Sequence, residues 1–146
     1  MVACGFKLAG TSDLPESLDT LHLSTENMNV QQRDRLISVL QRAGASLTAA
    51  EQAKATLSVN LKPLRQQTVV SSASSGNTIQ QLTRELEYRV AFAGLTETTA
   101  MRTLRQRKNF QNDEDNLLSS RVQKSDVIRD LELSLFNQLV FQLQRY

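Results

Sequence analysis

Residues 113–146 contain neither glycine nor proline, and this constrains the fold more than any other feature of the chain. Nothing in that stretch breaks a helix. Its apolar residues Val122, Ile128, Leu131, Leu135, Leu139 and Leu143 return at helical spacing, and Phe136, Val140 and Phe141 broaden the stripe. The pattern predicts a helix of about twenty residues or more within Asp115–Tyr146, with Ser125-Asp126 marking a restart. A helix with one apolar face needs a second layer to bury it.

The earlier chain supplies that layer. Residues 29–43 repeat the helical period through Val30, Arg33, Leu36, Ile37 and Leu40, with Asn27 or Asn29 as N-cap and Gly44 as a left-handed stop. Elsewhere the period drops to two. Leu21 and Leu23, with His22 on the other face, predict a short strand at 18–24. Leu57, Val59 and Leu61 alternate with Ser58, Asn60 and Lys62, while Leu82, Leu86, Tyr88, Val90 and Phe92 are interleaved with Glu85, Glu87 and Arg89. The polar run 71–78 reads as the tip of a hairpin joining these two strands, either projecting towards a partner or forming a mobile loop. After a turn at Gly94 and Thr96–Thr99, a third long strand is expected near 100–110. The expected fold is therefore α+β: an antiparallel meander sheet with two amphipathic helices packed on one face. Residues 1–17 form an extended tether and 18–146 a single domain.

The residue inventory excludes most chemistry. One histidine, His22, and one cysteine, Cys4, cannot assemble a Cys–His pair or a zinc cluster. Asp113-Glu114-Asp115 reads as a solvated turn opening the last helix. With no glycine-rich phosphate loop and no nucleophile elbow, no catalytic residue, metal or cofactor is assigned and no enzyme activity is expected. A formal charge of +2, an aromatic content of 5% and the absence of Trp argue against nucleic acid as a partner. The one concentrated feature is basic: Arg102, Arg105, Arg107 and Lys108 on the third long strand, followed by Arg121, Lys124 and Arg129. Arg105 and Arg107 share a strand face, an arrangement suited to gripping phosphate. The same charges equally suit the protection of a strand edge.

Cys4 follows Val2-Ala3, the small-residue pair that ends a bacterial lipoprotein signal, and its thiol is read as the acylation site. The charged start and apolar core of a full signal are not seen before it, so the sequence is expected to begin at the cleavage region. The opening Cys4-Gly5-Phe6-Lys7-Leu8-Ala9-Gly10 resembles the C-G-[FW]-x-L-x-G start of the LPS-assembly lipoprotein family LptE, also called RlpB. Asp13-Leu14-Pro15, the Leu18–Ser24 strand and the Arg33–Gly44 helix follow in that family's order. Leu86-Glu87-Tyr88 resembles its A-E-Y strand, and Arg102 to Asn112 its R-x-F-x-D-N strand end. The central segment is richer in Ser and Gln than the family pattern, and no long polar tail follows the last helix.

The resemblance implies an outer-membrane lipoprotein on the periplasmic side, held by acyl chains on Cys4. It implies a 1:1 complex in which the domain plugs the LptD β-barrel of the lipopolysaccharide translocon, assists its assembly and binds lipopolysaccharide. Arg102, Arg105, Arg107, Lys108, Arg121 and Lys124 would then meet lipid A phosphates or the inner wall of the barrel. The residues by themselves also allow a periplasmic or cytosolic interaction domain without a lipid anchor.

Overall fold

The computed structural model describes residues 14–71, 77–96, 98–113 and 116–146. The lipidation candidate Cys4, most of the tether and hairpin-tip residues 72–76 lie outside the described residues. A short 3-10 turn at Glu16–Leu18 leads into β1 (Thr20–Glu26), α1 (Val30–Arg42), β2 (Ser46–Leu47), β3 (Ala55–Leu61), β4 (Arg65–Ser71), β5 (Asn77–Phe92), β6 (Arg102–Asp113) and α2 (Leu117–Leu143).

Alternation dictates the sheet. Leu21 and Leu23 of β1, Ala55, Leu57, Val59 and Leu61 of β3, Leu82, Leu86, Tyr88 and Val90 of β5, and Leu104 and Phe110 of β6 are all buried. The pairing register sets these side chains in rows on one face: Leu23 opposite Leu57, Leu57 opposite Val90, Leu86 opposite Leu104. β3 and β4 lie end to end along one side of β5, separated by Lys62-Pro63-Leu64, and β6 runs along the other side. Proline has no N–H to give the ladder, which accounts for the gap. The three long strands of the expected meander are thus β3–β4, β5 and β6.

The expected α+β class holds, with one addition. β1 pairs parallel to β2 and β3, because α1 carries the chain back before the next strand begins. Asn29 caps α1 reciprocally: its side chain accepts from the Gln32 N–H, and the Gln32 side chain accepts from the Asn29 N–H. Gly44 closes the helix at φ 96°, a region in which a Cβ is strained.

Both helices cover the apolar face. Leu36, Val39 and Leu40 of α1 join Leu135, Phe136, Leu139, Val140 and Leu143 of α2 in one core with the strand residues. Each fully buried side chain of this size contributes about 1.5–3 kcal/mol. A smaller cluster of Leu82, Phe110 and Leu131, backed by Leu64, Val127 and Ile128, lies under the first half of α2. That helix runs unbroken through Ser125-Asp126. Val122 and Phe141, expected on its buried face, are exposed, as is Val30 of α1. The phase of contact is set by Ser120 near the start of α2 and Leu131 at its middle, both buried, and that phase turns Val122 outwards.

One carboxylate interrupts the apolar interface. Glu132 of α2 is 2% exposed and is reached from two other elements. Arg35 Nη1 of α1 lies 2.7 Å from it, Gln32 Nε2 donates at 2.8 Å, and Arg84 Nη2 of β5 lies at 3.5 Å. This knot ties α1, α2 and the sheet together.

Candidate functional site

The face of the sheet opposite the helices is mostly polar, with Ile79 exposed on it. Ser24, Ser58, Asn60, Glu87 and Arg89 border a shallow depression at one end. At the other end, Arg65, Gln67, Gln81, Thr83, Arg105 and Arg107 line a second one. Strand parity builds the latter. Arg105 and Arg107 are two apart on β6, opposite Glu85 and Thr83 of β5, and Thr83 in turn lies opposite Arg65 of β4.

Glu85 is the hinge of this cluster. It accepts from Arg105 Nε at 2.7 Å and from Arg65 Nη2 at 2.8 Å. The Arg105 hydrogen bond, with charge from Arg105 and Arg65 added to it, holds its carboxyl below the usual glutamate range. Arg107 forms no ion pair with any described carboxylate. Three guanidinium groups therefore converge with a single carboxylate to offset them, and Gln67, Gln81 and Thr83 add neutral hydrogen-bonding groups. Guanidinium groups so placed present paired N–H donors, the chemistry that suits an anion.

The six basic residues singled out in the sequence do not form one site. Arg105 and Arg107 share the open face. Arg102 and Lys108 are of opposite parity and belong to the helix side: Arg102 lies 5.9 Å from the Tyr146 ring centre, and Lys108 pairs with Asp130 of α2 at 3.6 Å. Arg121 is exposed on α2. Lys124 turns towards the sheet and donates to Gln66 Oε1 at 2.6 Å. A joint grip by Arg105, Arg107, Arg121 and Lys124 is ruled out, since the sheet separates the pairs.

Sequence reasoning missed Arg65, the third cation of the cleft; its signal was its place on the strand that pairs with Glu85's neighbours. It also missed the Glu132 knot. His22, on the face of its strand opposite Leu21 and Leu23, is half-buried, and its Nδ1 lies 3.1 Å from the Thr48 carbonyl oxygen. Among the described residues no group of His, Cys, Asp and Glu is arranged to hold a metal ion.

No protein-family model and no curated protein matches the chain. Solved structures do match it. Rare lipoprotein B from Shewanella oneidensis aligns at a TM-score of 0.69 and 16% identity, over 84% of this chain and 91% of its own. This chain has the fold of rare lipoprotein B. A minor lipoprotein from Acinetobacter baumannii aligns at 0.67 and 16% identity, over 88% of this chain and 92% of its own. Lipoprotein B from Nitrosomonas europaea aligns at 0.67 and 17% identity, over 96% and 90%. The likeness spans most of each chain and is one of fold.

Proposed function

We propose that this chain is a lipid-anchored outer-membrane lipoprotein of the LptE type, which plugs and helps assemble the β-barrel of the lipopolysaccharide translocon and binds lipopolysaccharide without performing a chemical step. The observation that carries this reading is the likeness in fold to rare lipoprotein B over most of both chains. Two physical features support it. The lumen of a transmembrane barrel is polar, and the uncovered sheet face offers it Ser24, Ser58, Asn60, Gln81 and Thr83 in place of apolar side chains. Acyl chains on Cys4 would give stable anchoring, for which a single chain is insufficient.

In this reading the Arg65–Arg105–Arg107 cleft receives the phosphates of lipid A. Arg107 is the most informative residue, because it is not engaged with Glu85. The test is binding of purified lipopolysaccharide to the full chain carrying Arg107→Glu, alone and with Arg105→Glu. Charge-assisted hydrogen bonds contribute about 1.5–3 kcal/mol, so the single variant is expected to weaken binding at least about tenfold with an unchanged circular dichroism spectrum. Unchanged binding by both folded variants removes the cleft from the reading. Arg105→Glu sets like charges opposite each other on β5 and β6, which is why the single variant is the cleaner probe.

A further inference from the structure

β6 is a long open edge. It pairs with β5 over its 12 residues in continuous register, and with no other strand among the described residues. Which of its backbone groups are free follows from hydrogen bonds on β5. The Lys62 N–H donates to the Glu85 carbonyl, so odd-numbered residues of β5 bond towards β3 and β4. Val90, an even residue, exchanges bonds with Thr99 on the other side. In an antiparallel pair, bonded and non-bonded positions alternate. Leu82, Arg84 and Leu86 therefore bond to Lys108, Gln106 and Leu104. The N–H and C=O groups of Thr103, Arg105, Arg107, Asn109 and Gln111 point away from the sheet, without a partner among the described residues.

Proteins blunt such edges with short strands, proline, bulges, a covering element or charge. β6 is neither short nor bulged, and from 102 to 112 it contains no proline. Charge alone marks it, and of one sign: Arg102, Arg105, Arg107 and Lys108, with no carboxylate from 102 to 112. A second copy of this edge would set cation against cation. The open side of β4 offers no relief, since Arg65–Ser71 also lacks a carboxylate. The charge that rejects self-pairing attracts an acidic strand.

We propose that the β6 edge is a docking strand for an extended acidic segment of another polypeptide. The segment adds to the sheet through main-chain hydrogen bonds to Thr103, Arg105, Arg107, Asn109 and Gln111. Its alternate carboxylates lie on the open face, where Arg107 has no counter-ion among the described residues. Both modes draw on Arg107, but only strand pairing protects the outward backbone amides, so amide exchange distinguishes it from phosphate binding by guanidinium groups above the sheet.

The probe is a labelled ten-residue peptide alternating Glu with Val or Thr, titrated into the full chain while amide exchange is followed by NMR. Exchange at the five outward amides is expected to slow at least about tenfold in the complex, with Leu104, Gln106 and Lys108 unchanged. Asn109→Pro removes one outward N–H without costing a β5 bond, and is expected to weaken the peptide about tenfold. Three results overturn the proposal: no slowing at the five amides, equal affinity for the same peptide N-methylated at alternate residues, or slowing that accompanies dimerisation of the chain without peptide. If Asn109→Pro fails to fold, the exchange pattern and the N-methylated peptide decide the matter in the wild-type chain.

Discussion

Replacing Glu132 by Gln keeps the volume of the side chain and its contact with Gln32 but removes the only carboxylate that Arg84 meets among the described residues. Arg84 cannot easily recover water, because its side chain is 11% exposed. Burial already pushes its guanidinium below the usual arginine range, and Glu132 opposes that shift. Breaking a buried pair from one side costs roughly 3–5 kcal/mol. Arg35 keeps 30% of its side chain exposed and regains water, so the lower end applies, about 3 kcal/mol. For a chain of this size that corresponds to a fall in Tm of about 6–12 °C. Urea unfolding measures it as a shift in midpoint at constant slope. The double variant Glu132→Leu with Arg84→Met removes both charges and is expected to recover most of the loss. A Glu132→Gln protein within about 0.5 kcal/mol of wild type, inside the range of ordinary surface changes, refutes the reasoning. So does a double variant no more stable than the single one.

Further expectations concern the rest of the fold and site. The Glu85 carboxyl is held below its ordinary value of 4.5 by Arg105 and then Arg65. Its contribution to stability is therefore complete above about pH 4.5 and is lost as pH falls through the depressed value. In Glu85→Gln, urea midpoints measured from pH 5 to pH 3 should decline less steeply than in wild type. Asn29→Ala removes one half of the α1 capping box and should cost about 1 kcal/mol by the same assay; no change would mean that tertiary packing alone fixes the start of the helix.

The sequence made the periodic elements readable because burial enforces period. The unbroken stretch 113–146, the alternation through Leu86, Tyr88 and Val90, and Asn29 with Gly44 at the ends of α1 all translate into the structure. Parity also separated Arg105 and Arg107 from Arg102 and Lys108, although nearness in sequence suggested one cluster. What stayed hidden depends on contacts between distant segments. A seven-residue strand such as β1 carries no mark of the direction in which it will pair. Glu132 sits between Leu131 and Leu133 like any surface acid on a helix, and only the packing of α1 and β5 against it makes it a buried knot. Arg65 entered the cleft through the pairing of β4 beyond the Pro63 gap, a register that local pattern does not specify. Val122 and Phe141 follow the helical period, yet the phase fixed by Leu131 and Leu135 leaves them in solvent.

The most direct test of the central claim is a detergent pull-down of the tagged chain, expressed with a lipoprotein signal, from Gram-negative outer membranes, with the partner identified by mass spectrometry. Membership of the lipopolysaccharide translocon predicts recovery of the LptD barrel in a 1:1 ratio. A chain that partitions into the outer membrane and comes away without any barrel would contradict it.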